Sequence, residues 1–357
     1  MNKCIYSNED ISSDDNVEDR NKDTFAHVFP NSIGGHLGYM GILSKESNSL
    51  IGKFIEKPFS DLFHSLLIDI NPVRERGNLL GKQYITKDGI KVVKNPGESF
   101  LEIAEPFKLK IDNDVFLYSP RRKNSKKLVE SFLSRKDNLK TLSLNETDIF
   151  SPKIQTELKF DYSVILPALY VFACTCAAGN GLNFKGKFKK YVDEKTTSCI
   201  FPCESKIILN KPSNSITHSI IIRNDGLISK AYVNVFDIFS AILYLPGNVS
   251  KEVNYGIDIT TGKEFDLDVP DGFFSSENLE VVKKNPNQYN VTGRKKLISV
   301  LEVIRFNYLK RYMIYAYDFA FKKMKYGDHA PINLASDMIE KKIKKMKPPS
   351  VIINSNS

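Results

Sequence analysis

The chain is poor in cysteine and in long apolar runs, and each shortage excludes something. Five cysteines among 357 residues do not make the disulfide framework of a small secreted protein. The longest apolar run, Val164 to Gly179, is interrupted by Pro167. It is short for a membrane span, so a buried helix is expected there and no membrane partner. No apolar h-region stands near the start: residues 8–23 are acidic and polar. A cytoplasmic protein is the expectation. Internal repeats are absent.

What is present is ordinary globular material, 41% hydrophobic and 26% charged. The length suits one large domain or two. The formal net charge is +9 and the pI about 9.0. That balance favours polyanionic partners, DNA among them; it speaks to association and not to fold.

Residues 1–60 read as a compact module. Cys4–Ser7 suits a short strand or knuckle, and residues 8–23 a long, mobile loop. Thr24–Phe29 reads as a strand and His36–Leu43 as its partner. Ser44 can cap a helix running to about Glu56, interrupted by Pro58, and Phe59–Ile70 reads as a second helix. Further on, Gln83–Val93 alternates around Asp88-Gly89 as a hairpin does. Lys126–Lys136 reads as a helix. Ser219–Asn224 and Ala231–Phe236 flank Asp225-Gly226 as the clearest hairpin, with Ile238–Leu245 and Val253–Ile259 extending its sheet. Lys295–Lys325 has the spacing of a long helix, and residues 348–357 form a polar tail, expected to be disordered.

The most informative stretch is Phe25-Ala26-His27-Val28-Phe29-Pro30-Asn31-Ser32-Ile33-Gly34-Gly35, followed by Ser44-x-x-Ser47-Asn48, Leu50 and Gly52, and preceded by Cys4-x-x-Ser7. This order resembles the HNH endonucleases of the ββα-metal class. The likeness is to the subgroup with CxxC, a histidine strand with a Pro and Gly-Gly turn, then CxxCN and a short helix. The resemblance implies that His27 is a general base activating water against a phosphodiester, a role suited to imidazole. It implies a divalent ion, Mg²⁺ or Mn²⁺, held by the residue before the histidine and by Asn48.

Two departures stand out. Ala26 occupies a ligand position, and a methyl group cannot coordinate a metal. Glu46, Asp23 and the more remote Glu56 are the carboxylates that could substitute, and Asn31 is the residue that could orient His27. Of the four knuckle positions only Cys4 keeps a thiol; Ser7, Ser44 and Ser47 carry hydroxyls, which are hard, weak zinc ligands. No structural zinc is expected. A hydrogen-bonded cluster is expected instead, with Ile5, Phe25, Val28, Leu43, Leu50 and Ile51 holding the module together.

Other features have quieter readings. His36, just past the Gly-Gly turn, reads as a surface residue, with phosphate or metal contact the alternative. Cys174, Cys176, Cys199 and Cys203 fit no common zinc spacing and read as buried reduced thiols. Three basic clusters occur: Arg121-Arg122-Lys123 with Lys126-Lys127; Lys185, Lys187, Lys189 and Lys190; and Lys341 to Lys347. The middle one is interleaved with Phe184, Phe188 and Tyr191. It is the best nucleic-acid candidate, because lysines neutralise phosphates and aromatics stack on unpaired bases.

The expected fold class is therefore α+β: a ββα module over 1–70, then a mixed α/β region over 71–347 with an antiparallel sheet and a long C-terminal helix. The expected function is metal-dependent cleavage of DNA, in a prokaryotic, defence-like setting by analogy alone. The alternative is a catalytically degenerate nucleic-acid-binding or assembly protein; a protein partner or homo-oligomer stays open.

Overall fold

A computed structural model of the chain describes residues 2–12, 22–86, 89–98, 101–104, 107–111, 114–118, 141–144, 161–184, 187–193, 200–203, 212, 214–274, 298–307, 309–310, 312–314, 316–318, 335–336 and 338–341. The expected Lys126–Lys136 helix, the Arg121–Lys127 cluster, most of the Lys341–Lys347 cluster and the 348–357 tail lie outside these residues. The fold is mixed α and β with antiparallel sheets.

Two compact units divide the chain. One comprises Met1–Phe63, Pro72–Gly77 and Lys159–Ser357; the other comprises His64–Asn71 and Asn78–Leu158. The expected boundary at residue 70 therefore does not separate them. The reason is in the packing. Phe29 of the N-terminal hairpin and Phe59 of the Lys57–Leu62 helix each lie edge-on to Phe172 at 5.5 Å. A hairpin this small buries its apolar side chains only by borrowing a neighbour's core.

The first unit is built on a six-stranded antiparallel sheet. Its order is Ile200–Cys203, Phe239–Leu245, Ile228–Val235, Thr217–Asp225, Val253–Asp258 and Lys263–Asp266. The Asp225-Gly226 hairpin expected from sequence is there, with Ile221 opposite Tyr232 and Tyr232 opposite Ile242. Those three side chains form one apolar row with Cys203, Leu267 and Phe273. Ile220, Ile221 and Ile222 are all buried, so both faces of that strand are covered.

The Tyr162–Gly179 helix packs on the Ile228–Val235 and Phe239–Leu245 strands and on the Gly38–Ser44 strand. Among the described residues it alone is long and apolar enough to cross a membrane, yet 67% of it is buried inside the protein. Asp161 caps it by accepting from the Ser163 N–H at 2.9 Å. Residues 298–307 are helical too; the rest of the expected Lys295–Lys325 helix falls partly outside the described residues.

Pro58 does not interrupt the N-terminal helix as expected. Lys45–Ile51 is α-helical, Gly52–Glu56 widens to a π-turn in which the Lys57 N–H donates to the Gly52 carbonyl, and Lys57–Leu62 resumes the α-helix. The wide turn shifts the register just ahead of the proline. Pro58 then sits in the first turn of the resumed α-helix, where proline is tolerated. The expected Phe59–Ile70 helix is two segments instead, ending and restarting around Phe63.

In the second unit the His64–Ile70 helix buries Leu66, Leu67, Ile68 and Ile70. Lys82–Ile85, Lys91–Lys94 and Glu102–Ile103 form an antiparallel sheet, which includes the expected Gln83–Val93 hairpin. Phe107–Ile111 pairs antiparallel with Asp114–Tyr118 and parallel with Thr141–Leu144.

Candidate functional site

Four short elements of the first unit build the site. Asn2–Lys3 pairs with Asp10–Ile11, and the turn between them holds Cys4. Asn8, at φ 60°, closes that turn by donating its N–H to the Cys4 carbonyl at 2.8 Å. The Ile5 N–H donates to Ile42 at 3.0 Å and docks the turn on the Gly38–Ser44 strand. The helix Lys45–Ile51 begins at Ser44, whose hydroxyl accepts from the Ser47 N–H.

The four knuckle positions do converge. The Cys4 thiol donates to Ser47 Oγ at 3.2 Å, and Ser44 Oγ donates to Ser47 Oγ at 2.9 Å. The N–H groups of Ser7 and Ser44 both point at Cys4 Sγ, each at 3.5 Å. Burial pushes the Cys4 thiol up, but hydrogen bonding with the Ser47 and Ser7 side chains and the two amides outweighs it and leaves the thiol below its usual value. Of the apolar residues expected to hold the module, Val28, Leu43 and Ile51 are buried, whereas Phe25 and Leu50 are exposed.

His27 ends the strand Asp23–His27, which pairs antiparallel with Gly38–Ser44. Pro30 leads into a 3₁₀ turn over Asn31–Ile33, and Gly34 closes it at φ 91°. Gly35 allows a close approach: a Cβ there would lie 1.9 Å from the Phe29 carbonyl oxygen. The turn is anchored from beneath by buried His218, whose Nε2 donates to the Ile33 carbonyl at 3.0 Å while Nδ1 accepts the Phe236 N–H at 3.1 Å.

The carboxylate beside His27 is Glu75, which the sequence did not single out. Its Oε2 lies 3.1 Å from His27 Nε2. Glu75 belongs to the Pro72–Gly77 segment, which folds back onto the 3₁₀ turn. Asn31 grips that segment twice, accepting the Glu75 N–H at 2.8 Å and donating to the Arg76 carbonyl at 2.9 Å. The Val73 N–H donates to Ile259 at 2.8 Å, and the Arg74 guanidinium donates to the Ser32 carbonyl. His36 Nε2 lies 3.4 Å from the Val73 carbonyl, so His36 helps hold the same segment. Phe25 and His27 meet in a T-shaped contact with ring centroids 4.9 Å apart at 86°.

Asn48 is half-buried and donates to the Phe25 carbonyl at 3.4 Å, two residues from His27 on the same strand. Its amide oxygen has no role in that bond. The carboxylates considered from sequence are elsewhere occupied or unsuited. Both oxygens of Asp23 accept the Gly41 N–H at 2.8 Å. Glu46 is exposed in the first turn of its helix. Burial pushes the Glu56 carboxyl up to about 7. Ala26 is buried and offers a methyl group. Among the described residues no group of three or more His, Cys, Asp or Glu side chains converges as metal ligands would. One amide and one carboxylate already bonded to His27 fall short of a complete protein-built site for a divalent ion.

The basic cluster is only partly what its pattern suggests. Lys185 lies outside the described residues; Lys187 and Tyr191 lie on the helix Lys187–Asp193. Lys189 and Lys190 are exposed, with Lys189 Nζ 5.6 Å from the Tyr6 ring centroid. Phe184 and Phe188 face inward, buried against each other at 5.7 Å, and Phe188 stacks on Tyr170. They are core residues and not a stacking platform for bases. Tyr6 OH donates to Asp193 at 2.6 Å and ties this helix to the knuckle. An apolar cleft of about 320 Å³ lies between them, lined by Tyr6, Leu50, Phe54, Ile55 and Val192. Cys174, Cys176 and Cys203 are buried thiols; Cys199 is outside the described residues.

The chain matches no family model, no curated protein and no solved structure.

Proposed function

We propose that the first unit carries an HNH-like hydrolytic site that cleaves nucleic-acid phosphodiesters, DNA first among them, with His27 as general base. One observation carries the reading: a partly open histidine, 17% exposed, is bonded to a carboxylate through one ring nitrogen. With the Nε2 proton on Glu75, the lone pair resides on Nδ1. That nitrogen takes a proton from water as the water oxygen bonds to phosphorus. The bond from phosphorus to the ester oxygen breaks, and the leaving alkoxide takes a proton from solvent. The net charge of +9 and the exposed Lys189 and Lys190 support a polyanionic substrate.

The donors described near His27 do not complete a divalent-ion site. Ala26 and this short donor set favour a second reading, a module that binds nucleic acid without cutting it. Plasmid nicking separates the two, assayed with Mg²⁺, with Mn²⁺ and with chelator. Nicking that is lost in His27→Ala supports hydrolysis. Salt-sensitive binding without nicking, unchanged in His27→Ala, supports the binding module.

A further inference from the structure

We propose that Glu75, held in place by Asn31, is the positioning carboxylate of His27. The inference rests on the hydrolytic reading above and deepens it. A histidine can act as base through a chosen nitrogen only if its other nitrogen is pinned in the protonated state and the ring is kept from turning. Glu75 Oε2, 3.1 Å from Nε2, does the pinning. The Phe25 ring, packed against His27 with centroids 4.9 Å apart, limits rotation of the imidazole.

Glu75 is itself fixed through its backbone. It lies in neither a helix nor a strand, so no regular hydrogen-bond ladder orients it. Asn31 supplies that role by bonding the N–H of Glu75 and the carbonyl of Arg76 with its two amide atoms. Asn31 is in turn fixed by the 3₁₀ turn that Pro30 opens and Gly34 closes. Asparagine suits this position because one planar group offers a donor and an acceptor side by side. Asn31 thus acts on His27 without touching it.

The alternative is an incidental surface ion pair. The two side chains are 17% and 38% exposed, and pairs so exposed add little to stability. Stability measurements alone would then miss Glu75, whereas the state of the imidazole would report it directly.

The test uses the full chain with ¹⁵N-labelled histidine, the His27 ring signals being identified by their loss in His27→Ala. In the wild type the Nε2–H tautomer is expected to dominate. Glu75→Ala and Asn31→Ala are each expected to give a tautomer mixture, while Glu75→Gln, which still offers an acceptor, keeps the wild-type form. In the nicking assay Glu75→Ala is expected to lower kcat roughly 10- to 100-fold with KM little changed. An unchanged tautomer in Glu75→Ala overturns the proposal. An unchanged tautomer in Asn31→Ala alone overturns the part assigned to Asn31. Should the wild type fail to cleave while the tautomer still depends on both residues, the positioning stands and the hydrolytic reading falls.

Discussion

The Cys4 thiol donates to the hydroxyl of Ser47 across 43 residues of sequence, at 3.2 Å and out of contact with water. This bond joins the N-terminal turn to the start of the Lys45–Ile51 helix. Cys4→Ala removes the acceptor for two backbone N–H groups and the donor to Ser47 at once. Buried polar groups left unpaired cost about 1–3 kcal/mol each. Urea unfolding of Cys4→Ala is expected to show a loss of at least that size, with Cys4→Ser closer to wild type. A Cys4→Ala variant as stable as the wild type would mean the cluster holds nothing together.

The same cluster makes a constructive prediction. Ser7, Ser44 and Ser47 all hydrogen-bond around the Cys4 sulfur, either through side chains or through backbone amides. Four thiolates at these positions would surround one point, as a tetrahedral zinc site requires. The triple substitution Ser7→Cys, Ser44→Cys and Ser47→Cys is expected to bind one zinc per chain, with a rise in Tm that chelator reverses. Metal analysis of the purified variant checks this; a zinc-free variant refutes it.

Two glycines of the candidate module should respond in opposite ways to a methyl group. At Gly35 the added carbon meets the Phe29 carbonyl at 1.9 Å, and backbone cannot step aside cheaply. At Gly52 the nearest atom is the far end of Glu56 at 3.8 Å, and φ is −56°. Gly35→Ala is expected to lose more than ~2 kcal/mol and to displace the His27 strand. Gly52→Ala is expected to be neutral or to gain up to ~1 kcal/mol from reduced freedom of the unfolded chain. Paired thermal melts decide the matter.

These contrasts also mark what could be read from residues alone. The Asp225-Gly226 hairpin was legible because Gly226 takes φ 67° in a tight turn, and apolar residues pair across it. The Gly34-Gly35 turn was legible for the same kind of reason. The hydrogen-bonded knuckle was legible from residue type, since serine hydroxyls stand around the Cys4 thiol. Glu75 was not legible. It reaches His27 across 48 residues from a segment without periodicity, and only the fold brings them together. The inward turn of Phe184 and Phe188 was hidden too, because lysines interleaved with phenylalanines read alike whether the rings face bases or core. The reach of the first unit beyond residue 70 depends on Phe172, which no local pattern links to Phe29 or Phe59.

His218 provides a pH test of the anchoring beneath the candidate site. Burial without any water contact pushes its imidazole down to about 4, although the bonds to the Ile33 carbonyl and at Thr217 oppose the shift. A histidine in the unfolded chain titrates near its ordinary value of 6.5. Between these two values the unfolded chain binds a proton that the folded chain refuses, so folding loses stability as the pH falls from about 6.5 toward 4. A gap of this size corresponds to at most ~3 kcal/mol. Above the upper value both states are neutral at this site, and the residue contributes no slope. Urea unfolding at pH 7 and at pH 5 is expected to show the loss in the wild type. In His218→Gln, an amide that cannot titrate, the same interval should be flatter by a comparable amount, even if the variant is less stable throughout. Equal slopes in the two proteins would mean that the Ile33 turn is not clamped by a neutral imidazole.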